Sequence, residues 1–290
     1  MGEFTGILLI SDYDGTFTSQ VPENYKKNVD AVGEFKKNGG LFAFATGRDY
    51  HSLLAIEPDF ENIANAPVII ANGARLYDIN AKNYIISHTL DLVLFSNFLE
   101  ILYKRYPETG IRFSCDGGLV TPCLNELLIE DLNDIFMRDA RVREMPFEQL
   151  RASGEGVYKC VMVNEPGTVD ALKALAAEFC GSNPDAGCGI YFTKSYARGL
   201  EAVNKSASKG ATALKLKEYL NARDKIKYKL CAIGDYDNDL DMIALADHGA
   251  APANALDEVK KAAKTITAAA SDGAVADFIE IIKTIGRVAL

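Results

Sequence analysis

The run Ile7-Leu8-Leu9-Ile10 passes without a break into Ser11-Asp12-Tyr13-Asp14-Gly15-Thr16. An apolar segment this short reads as a strand buried on both faces, the kind that occurs in parallel sheets covered by helices. Its carboxyl end delivers Asp12 and Asp14 to the edge where open α/β sheets bind their ligands. Residues 24–38 carry Val29, Val32 and Phe35 near helical spacing and stop at Gly39-Gly40, so they read as a crossover helix. Residues 41–45 supply a second strand, 49–56 a helix halted before Pro58, and 68–71 a third buried strand that turns at Asn72-Gly73. A hairpin is expected from 75–77 and 84–87.

Beyond it the pattern changes. An amphipathic helix over 92–106, strands over 111–114, 157–163 and 189–193, and a helix over 168–179 have α+β character. The α/β rhythm returns with helices at 209–220, 239–246, 255–264 and 274–285 and a strand at 230–234. The expected architecture is therefore an α/β core built from residues 1–87 and 196–290, with an α+β domain inserted at 88–195, a span of normal domain size.

The chain of 290 residues is 48% hydrophobic and 24% charged, as in ordinary globular proteins, and its net charge of -9 offers no basic footprint for nucleic acid or anionic lipid. No apolar run approaches the roughly 20 residues of a membrane span. Six scattered cysteines without a C-x-x-C pair, and no secretory signal before them, point to reduced thiols in a soluble cytoplasmic protein. Oligomeric state is not legible, and a monomer is compatible with the sequence. An acidic chain that handles an acidic substrate needs a local cation, so a bound metal and a placed lysine are expected.

Four short motifs could meet that need. Asp12 and Asp14 can divide labour as nucleophile and proton carrier, although alone they read equally as an Asx-type turn. Thr46-Gly47-Arg48 ends the second strand, where Thr46 can donate a hydroxyl and a backbone N–H to a phosphoryl oxygen and Gly47 permits close approach. Lys209 follows Ser208 at a helix start, where its ammonium can add to the positive helix end, with Lys205 as the local competitor. Gly234-Asp235-Tyr236-Asp237-Asn238-Asp239 places oxygen ligands suited to Mg²⁺ at a strand end, with Asp235 a direct ligand and Asn238 and Asp239 orienting a water, Lys209 or phosphate.

Together the D-x-D-G-T, T-G-R, S-K-G and G-D-x-x-N-D motifs, in this order, resemble the haloacid dehalogenase superfamily of phosphohydrolases, and more narrowly its type IIB, Cof-like sugar phosphatases. The Asn72-Gly73-Ala74 turn belongs to the same resemblance. It implies a Rossmann-like core, parallel sheet flanked by helices, with an inserted α+β cap of the C2 type. It also implies a metal site for Mg²⁺ from Asp12, Asp235 and the backbone carbonyl of Asp14, and a phosphate site from Thr46, Gly47, Lys209 and Asn238, with Asp239 supporting. Tyr13 departs from the family, which usually has an aliphatic residue there; in an extended segment it points away from the site. The activity implied is hydrolysis of a phosphate monoester, a sugar phosphate or related small metabolite, through a phospho-aspartate on Asp12. A phosphomutase of the same fold and a non-catalytic sugar-phosphate sensor are the competing readings. Arg112, Asp116, Glu126, Lys159 and Lys194 are polar candidates for leaving-group contacts within the insert, most of them expected to be solvated.

Overall fold

The computed structural model describes residues 2–134, 142–182 and 188–286. Ile7–Ser11 is buried along its whole length and lies inside a five-stranded parallel sheet, ordered Thr265–Thr267, His248–Pro252, Lys229–Ile233, Ile7–Ser11, Leu41–Phe44. Alternation along the strands feeds two layers. Leu8, Ile10, Ala43 and Ala45 pack with Leu216 and Leu220 of helix Lys209–Asp224 and Met242 of helix Leu240–Leu245. Phe42 and Phe44 face the other way into an aromatic group with Tyr13 and Phe17. Helices Pro22–Lys37 and Ala274–Gly286 pack against one another as a further layer.

Three strands of this region differ from expectation. Val68–Ile70 is buried as anticipated, but it pairs antiparallel with Arg75–Asp78 in a three-stranded sheet completed by Asn83–Ser87. Its only tie to the parallel sheet among the described residues is the bridge of Ile69 to Ala45. The immediate reversal at Ala71–Gly73 is the cause, because it returns the chain alongside the strand before a crossover can form. His248–Pro252 and Thr265–Thr267 extend the sheet where the sequence pattern indicated no strand, since His-Gly-Ala-Ala-Pro and a three-residue Thr-Ile-Thr carry little β signal.

The described chain divides into two compact units, Met1–Gly47 with Asp59–Ile86 and Ser208–Leu290, and Arg48–Pro58 with Ser87–Ala207. The second unit reaches beyond the expected limit at 195, because Gly199–Asn204 pairs antiparallel with Val157–Val163 rather than joining the core. Its sheet has six strands, ordered Ile190–Tyr196, Gly199–Asn204, Val157–Val163, Gly110–Cys115, Gly118–Thr121, Val142–Glu144. Parts of the expected insert, 135–141 and 183–187, lie outside the described residues. On one face Phe113, Cys160, Met162 and Leu200 pack with Phe95, Phe98 and Leu102 of helix Leu92–Arg105 and with Leu172 and Phe179 of helix Pro166–Ser182.

On the opposite face two of the five polar candidates, Arg112 and Lys159, are buried rather than solvated. Arg112 is 5% exposed and bonded to Asp131 at 3.2 Å, and Lys159 is 4% exposed and bonded to Glu201 at 2.8 Å. Burial of these charges is tolerated because each has its own carboxylate. Of the remaining candidates, Asp116 accepts from the Tyr158 hydroxyl, Lys194 pairs with Asp170, and Glu126 is exposed. A second correction concerns the cysteines: Cys180 and Cys188 form a disulfide, while Cys115, Cys123, Cys160 and Cys231 are free. Cys180 lies in helix Pro166–Ser182 and Cys188 just before strand Ile190–Tyr196, a sequence separation of 8. No helix among the described residues is long and apolar enough to cross a membrane.

Candidate active site

Three chain segments converge on Asp12, which lies at the carboxyl end of the buried strand and is only 5% exposed. Its backbone N–H donates to Ile233 O at 2.9 Å, so the neighbouring strand fixes the exit direction. The chain then makes a tight turn over Tyr13–Phe17, with Thr18 N donating to Tyr13 O at 3.0 Å. Tyr13 is buried in the aromatic layer, as its alternation indicated, and Asp14 is exposed on the turn. Gly15 is left-handed (φ 77°), and a Cβ there would come 2.6 Å from Asp235 Oδ2. Only glycine lets the Asp14 turn approach the second acidic segment this closely.

Lys209 is completely enclosed, at 1% exposure, and its Nζ donates to Asp12 Oδ1 at 2.6 Å and to Asp239 Oδ1 at 2.7 Å. Ser208 caps its helix by accepting from Ala211 N at 3.0 Å, and Asp241 Oδ2 accepts from Gly210 N at 3.1 Å. Lys205, the competitor, is exposed and belongs to the second unit, whereas Lys209 is bonded to Asp12. Asp239 Oδ2 accepts from the N–H groups of Asp235 and Tyr236, at 3.0 and 3.1 Å. Both oxygens of Asp239 are thereby committed to shaping the loop and holding the lysine. Thr16 Oγ1 donates to Asp235 Oδ1 at 2.9 Å.

The carboxylates of Asp12, Asp235 and Asp239 offer oxygens within 4.8 Å of one another. Burial pushes the Asp12 carboxyl well above its ordinary range, Lys209 opposes the rise, and Asp239, Asp235 and Asp14 add to it. Burial and then Asp239 raise Asp235 to about 6, against Thr16 and Lys209. For Lys209, burial favours loss of the proton, but Asp12 and Asp239 outweigh it and hold the ammonium above its usual pKa. Three carboxylates against one ammonium leave a formal charge of -2. Asp12 Oδ2 is buried and meets no hydrogen-bond donor. An all-oxygen donor set, a charge of that size and an electron-rich oxygen without a donor fit a divalent cation.

Thr46 is fully buried at the end of Leu41–Phe44, and its N–H is spent on Ile69 O at 2.9 Å. The expected N–H donation to a ligand from Thr46 is therefore replaced by a sheet-type bond, and its contribution rests on the hydroxyl. Asn238 is 4% exposed and donates from Nδ2 to Asn72 Oδ1 at 3.1 Å, while its Oδ1 is buried with no partner. The structure thus brings Asp12, Asp235, Asp239 and Lys209 into direct proximity and puts Asn238 on the same loop as Asp235. Asp14 stands at the rim, outside the carboxylate cluster. Sequence reasoning did not assign roles to Asn72 or Asn254, whose Nδ2 donates to Gly15 O at 2.9 Å and whose Oδ1 accepts from Ala270 N at 2.8 Å. For Asn72 the signal was the Asn-Gly turn; for Asn254 none was present.

Comparison with known proteins agrees with this geometry. A family model of haloacid dehalogenase-like hydrolases matches residues 9–279. A Haemophilus influenzae protein provisionally named a phosphatase is 36% identical over 279 residues, covering 94% of this chain and 96% of its own. The Bacillus subtilis 5-amino-6-(5-phospho-D-ribitylamino)uracil phosphatase YwtE is 25% identical over 291 residues, covering 93% and 95%. Among solved structures, a haloacid dehalogenase-like hydrolase from Bacteroides thetaiotaomicron superposes with a TM-score of 0.73 at 25% identity, covering 95% of this chain and 99% of its own. Matching fold, an acidic cluster at the strand ends and a family model spanning nearly the whole sequence agree: the chain belongs to the haloacid dehalogenase-like hydrolases, and within them to the broad Cof-like, type IIB phosphatase group.

Proposed function

We propose that the protein hydrolyses a small phosphate monoester with Mg²⁺, through a phosphoryl group carried transiently on Asp12. The observation that carries this reading is the Asp12 carboxylate, buried at a strand end, held by Lys209 through one oxygen and unengaged at the other. Asp12 attacks phosphorus, the bond from phosphorus to the ester oxygen breaks, and Asp14 gives its proton to that oxygen. Exposure at the rim of the site suits Asp14 to exchange protons with water and leaving group. In the second half Asp14 takes a proton from a water whose oxygen attacks phosphorus. The bond to Asp12 breaks, inorganic phosphate leaves and the carboxylate is restored.

Lys209 neutralises the phosphoryl oxygens, and the Thr46 hydroxyl, the Gly47 N–H and the Asn238 amide orient them. Asp239 holds Lys209 in place. Asp12, Asp235 and the Asp14 backbone carbonyl are the residues that would hold Mg²⁺, which when bound supplies the positive charge that lets a carboxylate meet a phosphate dianion. The second unit governs which leaving groups are accepted. A sugar-like metabolite is the substrate class we favour, in line with the phosphorylated ribityl compound for which the Bacillus subtilis relative is named.

The test separates the two carboxylates. Asp12→Asn should form no phosphoenzyme, because an amide is a poor nucleophile. Asp14→Asn should still be phosphorylated by an activated aryl phosphate, whose leaving group needs no acid, and then stall for want of a base. Expected is a burst of aryl alcohol of about one equivalent per site, with the phosphoryl group located by mass spectrometry on the Asp12 peptide. Steady turnover without a burst in Asp14→Asn, or phosphoenzyme in Asp12→Asn, would overturn the mechanism.

A further inference from the structure

The turn Ala71–Gly73 meets each of the loops on which the phosphate reading depends. Asn72 N donates to Thr46 O at 3.1 Å, and Gly73 O accepts from Thr212 Oγ1 at 2.8 Å in the first turn of the helix that begins at Lys209. A Cβ on Gly73 would come 2.2 Å from Ser208 O, so the turn backbone lies directly against the cap of that helix. Ala71, Asn72 and Gly73 are all left-handed, with φ of 50°, 54° and 90°. Side chains adopt that region at a cost, and such strain persists where surrounding contacts enforce it. What the strained turn delivers is the Asn72 side chain, 1% exposed, onto Asn238.

The pairing of the two amides leaves one end unexplained. With Nδ2 turned to Asn72, Asn238 keeps a buried Oδ1 that meets no donor. An amide has nearly the same shape either way round, and its orientation follows from its hydrogen-bond partners. If both amides turn over, their mutual bond is kept with the direction reversed, Asn72 Nδ2 donating to Asn238 Oδ1. Asn238 then presents an NH₂ where the orphaned oxygen stood. A donor pair at that position serves an anion, whereas an acceptor repels one.

We propose that Asn72 is a positioning residue: by donating its amide to Asn238 Oδ1 it sets the Asn238 NH₂ toward a phosphoryl oxygen. The inference rests on the reading of Asn238 as a phosphate ligand. It explains why the turn tolerates consecutive left-handed residues, and it makes Asn72 a determinant of phosphate affinity without contact to the phosphate.

The probe is inorganic phosphate, titrated calorimetrically into the Mg²⁺-supplemented full chain, with KM and kcat for an aryl phosphate measured in parallel. Asn72→Gly keeps the left-handed backbone and removes only the side chain, so it should weaken phosphate on the order of tenfold while leaving Tm near that of the wild type. Asn72→Asp can only accept, locks Asn238 with its oxygen outward, and should weaken phosphate further. Both effects should vanish in an Asn238→Ala background, where simple charge repulsion from Asn72→Asp would persist. Unchanged phosphate affinity in Asn72→Gly, or equal losses with and without Asn238, would overturn the proposal while wild-type hydrolysis stands. A wild type that neither binds phosphate nor releases it from esters would overturn the parent reading as well.

Discussion

Lys209 shows how a charged residue can stand at the centre of a carboxylate cluster and be almost invisible from solvent. Its charge survives enclosure because Asp12 and Asp239 each accept one of its protons, which more than offsets the loss of hydration. Lys209→Met should therefore lower turnover by about 10²-fold or more, as removal of a charged transition-state contact does. Lys205→Met should leave steady-state rates with an aryl phosphate unchanged; equal losses at both positions would refute the assignment. That Lys209, Asp12 and Asp235 belong together was legible in the sequence only through the joint match of their short motifs, in order, to the family pattern, since Lys209 lies 197 residues from Asp12. The roles of Asn72 and Asn254 were not, because no motif reading attached a function to either side chain, and their bonds to Asn238 and Gly15 appear only in the fold. The Thr46 N–H escaped for a related reason: its acceptor Ile69 belongs to a strand whose partner could not be read from the pattern.

At the scale of elements, the central strand is held to its covering helix through Asp247. Its Oδ2 accepts from Leu230 N at 2.8 Å and from Lys217 Nζ at 2.6 Å, joining the start of Lys229–Ile233 to helix Lys209–Asp224. Partial burial works to raise the carboxyl, but Lys217 and the Leu230 N–H prevail and hold it below its ordinary 3.8. A depressed pKa means that the folded state binds the proton less readily than the unfolded chain, so the contribution is full above the ordinary value and fades as pH falls through the lowered one. Asp247→Asn should cost about 1 kcal/mol at neutral pH, given the partial exposure of the pair. The gap in urea midpoint between variant and wild type should narrow progressively as pH falls below the ordinary 3.8 of Asp247; a gap that does not change with pH would exclude the ionic contact as its source. Long elements such as Pro22–Lys37 and Val157–Val163 were readable from periodicity because their apolar spacing is sustained. Gly199–Asn204 and Val142–Glu144 were missed because Gly-Leu-Glu-Ala-Val-Asn and Val-Arg-Glu hold few β-branched or aromatic residues, and their identity comes from their neighbours in the sheet.

For the whole molecule, a divalent metal held at the carboxylate cluster, with its formal charge of -2, would couple binding to stability. Mg²⁺ at about 100 times its dissociation constant should stabilise the fold by about 2.7 kcal/mol, seen as a rise in Tm that Asp235→Asn abolishes. A Tm indifferent to Mg²⁺ would argue against a metal at the cluster. Replacing residues 87–207 by a short linker should leave a chain that still shows the Mg²⁺-dependent rise but no longer ranks phosphate esters by leaving group. Retained ranking would assign discrimination to the first unit. The parallel sheet also dictates an order of events. Ile7–Ser11 has Leu41–Phe44 on one side and Lys229–Ile233 on the other, with the bond from Asp12 N to Ile233 O closing the pair. At a synthesis rate of roughly 5–20 residues per second, the nascent first strand waits on the order of 10 s or more for that second neighbour. The second unit, drawn mostly from the continuous stretch Ser87–Ala207, is complete on the ribosome earlier. The carboxylate that anchors the proposed chemistry is thus made long before its strand pairing is complete, and a growing chain cannot act on phosphate esters until strand Lys229–Ile233 and the loop of residues 235–239 have emerged.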